Sequence, residues 1–334
     1  MINTAVVGAG YWGINIIRVL SELSNLKYIC DLDIDTLNRK YGENKKFIDT
    51  TLTGDILDVM YDTDVEAIFI VTPPETHSSL ATLSLTHGKH TFIEKPMTSS
   101  SKEAESLIKL SSKKKLKLGV GHTFLYSAPV LKVKEIIDSG ELGEVLHIDM
   151  FRKNLGKFQS HCDVIYDLAP HDFSMLLFWF PGFSINRANV SLFSHFKGLQ
   201  PDTSNIDILS SNNITVNLSY SWIYPFKIRD TYIIGSKKSL KYSDTDPNAS
   251  VAVFDKGIER YSPSSFGDFI CSYRTGDCYI PYIKIEEPLK KEIQSFLDCV
   301  EFGEDIVNDG NNGRDVVKLI EVIRKITPLE TEVE

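Results

Sequence analysis

With 334 residues, 37.7 kDa and 42% hydrophobic content, the chain is long enough for two domains with proper cores. Its formal net charge of −9 speaks against a general nucleic-acid or anionic-membrane surface. No run of about 18 apolar residues exists, so no bilayer span is expected, and five scattered cysteines without a CxxC fit reduced thiols in a cytoplasmic protein.

Residues 2–7 are apolar and β-prone, and they lead into Gly8-Ala9-Gly10-Tyr11-Trp12-Gly13. Ile14, Ile17 and Leu20 then recur at helical spacing, so the glycines lie between a strand and a helix, as a dinucleotide fingerprint requires. Gly8 allows the turn, Gly10 lets backbone approach a pyrophosphate, and Gly13 brings helix close to strand. The fingerprint uses up this apolar start, which also lacks a basic leader and is not read as a secretion signal. A second strand, 27–30, ends at Asp31, where an acid is expected to meet the adenosine ribose hydroxyls and to disfavour a 2′-phosphate. NAD is therefore expected rather than NADP, with Arg39 nearby as the one contrary residue.

Residues 33–41 read as a short helix, and 66–71 as a strand apolar enough to be buried on both faces. Thr72-Pro73-Pro74 stops that strand. Helix 75–87, strand 91–94, helix 101–113 and strand 116–120 continue a β–α alternation that implies a doubly wound parallel sheet of Rossmann type over residues 1–122. The Lys113-Lys114-Lys115 run reads as the solvated end of a helix. Residues 123–334 read as a second, α+β domain for substrate binding and oligomerisation. It has helices at 128–138, 164–180, 289–299 and 313–325, a long strand at 145–155, and strand-like runs from 185 to 260 forming a large, mostly antiparallel open sheet. An open face of that size predicts a homo-oligomer, dimer or tetramer, packed sheet to sheet. Residues 199–212 are polar and turn-rich and receive no role; 261–280, with Tyr273, Arg274 and Tyr279, read as a structural loop.

Three groups fall beyond the carboxyl ends of the parallel strands, where ligands of such sheets bind: 8–13, Thr72-Pro73-Pro74 with His77, and Glu94-Lys95-Pro96. Lys95 follows its strand directly, and its charge suits it to stabilise an alkoxide or polarise a ketone. A second constellation, Asp167 and His171, is spaced i and i+4 and so shares one helix face, although Pro170 interrupts a simple helical pattern. Oxidation of a secondary alcohol requires its hydroxyl proton to leave, and histidine is the natural acceptor. Asp167 either fixes the His171 tautomer or contacts substrate. No third ligand stands at a recognised spacing, so no metal is expected.

Together these residues resemble the Gfo/Idh/MocA family of NAD(P)-dependent oxidoreductases, over nearly the whole chain. The resemblance implies that Lys95 and His171 form the catalytic pair with Asp167 beside His171. It also implies a cofactor held along Gly8, Gly10, Tyr11, Trp12, Gly13, Asp31, Thr72, Pro73, His77, Glu94 and Lys95. Residues 121–127, 152–156 and 167–172 look like the nucleotide-sugar branch, which includes enzymes oxidising C3 of UDP-N-acetylglucosaminuronic acid. Tyr126, Arg152 and Asn154 would then join Lys95, Asp167 and His171 along the substrate; Asp163 departs from the polar, often amide, residue expected at its position. The resulting expectation is an NAD-dependent 3-dehydrogenase of a UDP-N-acetylhexosamine or its uronic acid, serving surface-polysaccharide synthesis. Its alternatives are an NAD(P)H-dependent 3-ketosugar reductase of deoxysugar synthesis and a free-polyol dehydrogenase of inositol type.

Overall fold

Six short parallel strands organise the N-terminal part of the chain in the computed structural model, which describes residues 1–156, 158–159, 162–260, 271–327 and 331–332. They are β1 (Asn3–Val7), β2 (Asn25–Cys30), β3 (Thr51–Thr53), β4 (Ala67–Ile70), β5 (His90–Glu94) and β6 (Leu118–Gly121), in the order β3-β2-β1-β4-β5-β6. Between them run α1 (Gly13–Leu23), α2 (Ile34–Leu37), α3 (Ile56–Tyr61), α4 (Pro74–Thr86) and α5 (Ser101–Lys114). The strand order reverses between β1 and β4, the switch point at which open α/β sheets bind ligands. Strand β4, Ala-Ile-Phe-Ile, is buried along its whole length, as a central parallel strand must be. Neither β3 nor α3 was among the elements read from the sequence.

This first compact unit comprises residues 1–126 and 286–318; the second comprises 127–285 and 319–334. The boundary drawn from sequence at 122 thus lies near the chain's first crossing, but 286–318 pack with the parallel sheet, not with the second domain. The reason is an apolar stripe on α8 (Pro288–Phe302): Leu289, Ile293, Phe296 and Leu297 join one core cluster with Ile16, Leu20, Phe69 and Phe92. The Phe296 ring lies 5.5 Å from that of Phe69 and 5.2 Å from that of Phe92. Burying each such side chain is worth about 1.5–3 kcal/mol, enough to hold a helix to a sheet it follows by so many residues.

The second unit is a nine-stranded, mostly antiparallel sheet. Its strands are β7 (Val145–Leu155), β8 (Ile185–Ser194), β9 (Thr203–Ser210), β10 (Thr215–Ser221), β11 (Ile223–Gly235), β12 (Ser239–Ser243), β13 (Val251–Arg260), β14 (Cys271–Tyr279) and β15 (Thr331–Glu332). They follow the order β14-β13-β12-β11-β7-β10-β9-β8-β15, and β7 and β10 are parallel neighbours. Helices α6 (Ala128–Asp138) and α7 (Val164–Trp179) pack on one face. The last helix, α9 (Gly310–Ile326), begins in the first unit and ends in the second. Residues 271–279, expected in a loop, instead pair with β13; 261–270 lie outside the described residues. No described helix is long and apolar enough to cross a membrane.

Candidate active site

In the first unit the glycine turn is built as its sequence demands. Gly8 has φ +101°, and a Cβ there would collide with the Val71 carbonyl, while one at Gly13 would collide with the Gly8 carbonyl. At Gly10 an added Cβ would meet nothing within 4 Å. No side chain caps the amides of α1, and no acid stands in its first turn. An uncapped helix start behind a turn with room at Gly10 fits a dinucleotide pyrophosphate. Asp31 closes the same turn: its Oδ2 accepts from the Ala9 amide at 2.7 Å and its Oδ1 from the Asp33 amide at 3.0 Å. The carboxylate is thereby fixed beyond β2 with lone pairs to spare for ribose hydroxyls. Tyr11 is 89% exposed. Arg39 is turned back onto its own helix, donating to Thr36 Oγ1 at 2.7 Å.

The loops after β4 and β5 are tied together by His77. Its Nδ1 lies 2.9 Å from the Pro96 carbonyl and its Nε2 2.8 Å from the Thr72 carbonyl, so both ring nitrogens are committed to backbone. His77, expected along the cofactor, is fully buried and braces the Thr72-Pro73 turn against the Lys95-Pro96 turn. Burial pushes its pKa down, against the pull of the two carbonyls. Thr72 Oγ1 is 2.6 Å from Thr76 Oγ1.

Glu94 is held from both sides. Its Oε1 accepts from Trp12 Nε1 at 2.6 Å and its Oε2 from the Lys95 amide at 3.1 Å. Trp12 thus links the glycine turn to the lysine turn through one carboxylate. Burial pushes the Glu94 carboxyl up to about 7, although both hydrogen bonds and the Lys95 charge oppose this. Beneath it lies a polar network that the sequence reading missed. Glu292 of α8 is fully buried, accepts from Thr123 Oγ1 at 2.6 Å and Asn308 Nδ2 at 3.0 Å, and is pushed well up by burial and by the Glu94 charge. His122 meets Asn312 Oδ1 at 2.6 Å, and burial, with the Lys95 charge adding, lowers it to about 4. Lys95 is half-buried, and its charge acts on both Glu94 and His122. Tyr126, expected along the substrate, donates instead to Asn308 Oδ1 at 2.7 Å and lies 3.2 Å from Ser295 Oγ. It fastens the end of the N-terminal segment to the returning one. An acid within the apolar stripe of α8, Glu292 among Leu289, Ile293 and Phe296, was the available signal for this network.

In the second unit α7 runs through Pro170 as one helix, matching the span read from the sequence. Asp163 caps its start, accepting from the Ile165 and Tyr166 amides at 2.9 and 3.0 Å and pairing with Arg324 at 2.5 Å. Asp167 and His171 are both half-buried, one turn apart on this helix. Trp222 Nε1 donates to Asp167 Oδ2 at 3.3 Å. Arg152, expected on the substrate, is 4% exposed, and its Nε donates to Asp172 Oδ1 at 2.5 Å. The β-strand period explains this: Ile148, Met150 and Arg152 alternate onto the covered face of β7. Burial pushes Asp172 up, with the Arg152 guanidinium opposing. Asn154 is half-buried near the end of β7, beside Gly156. Among the described residues, no group of three His, Cys, Asp or Glu side chains is arranged to hold a metal ion.

Two family descriptions match the chain: an oxidoreductase family with an NAD-binding Rossmann fold over residues 2–122, and the GFO/IDH/MocA C-terminal domain over 130–241. Among curated relatives, an uncharacterised oxidoreductase of Schizosaccharomyces pombe is 35% identical over 135 residues, 37% of each chain. Oxidoreductase YrbE of Bacillus subtilis is 27% identical over 179 residues, 52% of each. The chain thus spans between about a third and a half of these relatives. An inositol 2-dehydrogenase of Rhizobium meliloti is 24% identical over 261 residues, 75% of this chain and 74% of that one. Among solved structures, a UDP-N-acetylglucosamine 3-dehydrogenase of Acidithiobacillus ferrooxidans superposes with a TM-score of 0.80 at 21% identity, covering 97% of both chains. A 3-ketoreductase of Actinomadura kijaniata, in complex with TDP-benzene and NADP, gives 0.78 at 16% identity, covering 100% of this chain and 99% of that one. Likenesses at these identities speak to the fold.

Proposed function

Because the chain belongs to the GFO/IDH/MocA oxidoreductases, we propose that it is an NAD-dependent dehydrogenase oxidising the C3 hydroxyl of a nucleotide-linked N-acetylhexosamine or its uronic acid. The observation that carries this reading is the pairing of Asp167 and His171 on successive turns of α7, half-buried and fixed by the Asp163 cap. In this reading His171 takes the hydroxyl proton, and Asp167, itself held by Trp222, keeps the imidazole in the accepting tautomer. The Lys95 ammonium stabilises the developing alkoxide oxygen. Gly8, Gly10 and Gly13 admit the pyrophosphate, and Asp31 takes the ribose hydroxyls and selects NAD over NADP. The dinucleotide, when bound, accepts the hydride. The nucleotide-sugar choice is supported by the likeness of residues 121–127, 152–156 and 167–172 to that branch, and the reaction would serve surface-polysaccharide synthesis in the cytoplasm.

The test is incubation of purified protein with NAD and a panel of UDP- and dTDP-sugars, reading product masses. A loss of two hydrogens from an N-acetylated sugar nucleotide is expected, and Lys95→Ala and His171→Ala should each slow it by about 10²–10⁴-fold. Turnover only of a 3-keto sugar with reduced cofactor, or only of a free polyol such as inositol, would replace this reading with the corresponding reductase or polyol dehydrogenase.

A further inference from the structure

The connection between β8 and β9 is closed from within by a buried carboxylate. Asp202, fully enclosed, accepts from the His195 amide at 2.8 Å through Oδ2 and meets the His195 Nδ1 at 2.7 Å through Oδ1. Its own amide donates to the Phe193 carbonyl at 2.9 Å, and Ser194 Oγ reaches the Phe196 and Leu199 carbonyls, each at 3.2 Å. With Nδ1–H given to the carboxylate, Nε2 is the ring nitrogen left for an outside partner, and it donates to an anion only in the doubly protonated ring. What this tightly tied loop presents outward is His195, Phe196, Lys197 and Leu199, with Phe196 and Leu199 each 50% exposed.

The loop is also joined to the helix that carries Asp167 and His171. The Pro201 carbonyl accepts from the Val164 amide at 3.1 Å, in the first turn of α7, and the Asp202 carbonyl accepts from the Trp222 amide at 2.8 Å. Trp222 turns its indole N–H to Asp167. Its ring meets that of Phe158 at 5.7 Å, and Phe158 meets Phe196 at 5.6 Å, both edge to face. A run of aromatic rings thus leads from the candidate catalytic carboxylate to an exposed phenyl ring flanked by a histidine and a lysine.

We propose that residues 195–202 form the nucleotide end of the substrate site. The base stacks on Phe196, and the His195 ring, protonated on both nitrogens, donates from Nε2 to the diphosphate beside the Lys197 ammonium, while the sugar lies toward Asp167 and His171. This assignment rests on the nucleotide-sugar reading above. It matches a ligand with an aromatic base at one end, a doubly charged linker and a sugar at the other, and base–aromatic stacking tolerates the identity of the base.

The test uses UDP and dTDP, without any sugar, titrated calorimetrically into the full-length protein saturated with NADH. Phe196→Ala should weaken the nucleoside diphosphate about tenfold to a hundredfold. Phe196→Trp, which keeps a stacking surface, should retain affinity, and His195→Gln should weaken it, all with unchanged NADH affinity; the two Phe196 variants should also keep the thermal midpoint. Equal affinity in wild type, Phe196→Ala and His195→Gln would overturn the assignment while leaving the nucleotide-sugar reading in place. Failure of the wild type to hold either diphosphate, while it still oxidises an intact sugar nucleotide, would do the same. Failure of both, with oxidation of a free polyol, would remove the reading itself. Loss of affinity in Phe196→Trp as well as Phe196→Ala would mean that the ring is structural and would also overturn the assignment.

Discussion

Glu94 shows how much one side chain can be asked to do. It ends β5, precedes Lys95 and receives the indole of Trp12, so its carboxylate joins the two turns expected to meet the cofactor. Burial raises its pKa from the ordinary 4.5 to about 7. Between those values the folded protein holds a proton that the unfolded chain has already lost. Stability therefore falls as pH rises from about 4.5 to 7, by on the order of 3 kcal/mol for a shift of this size. Buried His122, lowered to about 4, works in the opposite sense, gaining stability as pH rises from about 4 to 6.5. That contribution is common to wild type and Glu94→Gln, so their difference reads Glu94 together with the part of the Glu292 shift that the Glu94 charge imposes. Denaturant midpoints at pH 5 and pH 8 should show the variant gaining relative to wild type at the higher pH. An unchanged difference would mean that Glu94 titrates in the ordinary carboxylate range.

Among the elements, α7 has the most to hold in place. Its apolar residues bury it, and the start of the helix depends on Asp163, which accepts two first-turn amides and pairs with Arg324. Asp163→Ala should lower stability by about 1–2 kcal/mol in urea unfolding, whereas Asp163→Asn should keep most of the cap. Equal losses in both variants would assign the effect to the Arg324 ion pair. The helix was legible in the sequence because its hydrophobic run is long, and the parallel sheet was legible because strands and helices alternate around a glycine turn. Other features were not. Thr51-Leu52-Thr53 is too short to show a period, and Ser272 to Tyr279 is polar because β14 lies at a sheet edge. Arg152 was placed along the substrate by the likeness of residues 152–156 to a family branch, whereas its alternation with Ile148 and Met150 and its register with Tyr220 put it on the covered face of β7. Tyr126 and His77 sit beside the chemistry in sequence and serve as braces. The His195–Asp202 pair has no periodic signature at all.

The face of the large sheet opposite α6 and α7 alternates small polar and aromatic side chains. Phe151 and Tyr232 meet edge to face at 6.2 Å, and Asn217 donates to Asp149 at 3.2 Å. We propose that a second copy of the chain packs there. Light scattering should then give a multiple of 37.7 kDa, and Phe151→Lys with Tyr232→Lys should reduce it to the single-chain mass. A wild type already running as a single chain would end the proposal.

The return of residues 286–318 to the first unit also sets a timetable. A ribosome releases the last strand of the parallel sheet at residue 121, but the helix that covers Phe69 and Phe92 is complete only at residue 302. At about 5–20 residues per second, that interval is on the order of ten to thirty seconds. Throughout it the newborn sheet lacks the cover of a helix made far later in the chain, and its bare aromatic flank is the surface on which a chaperone, or a neighbouring nascent chain, would act. The polar network around Glu292 is withheld for at least as long, so the candidate lysine turn acquires its supports only once residue 308 has been made.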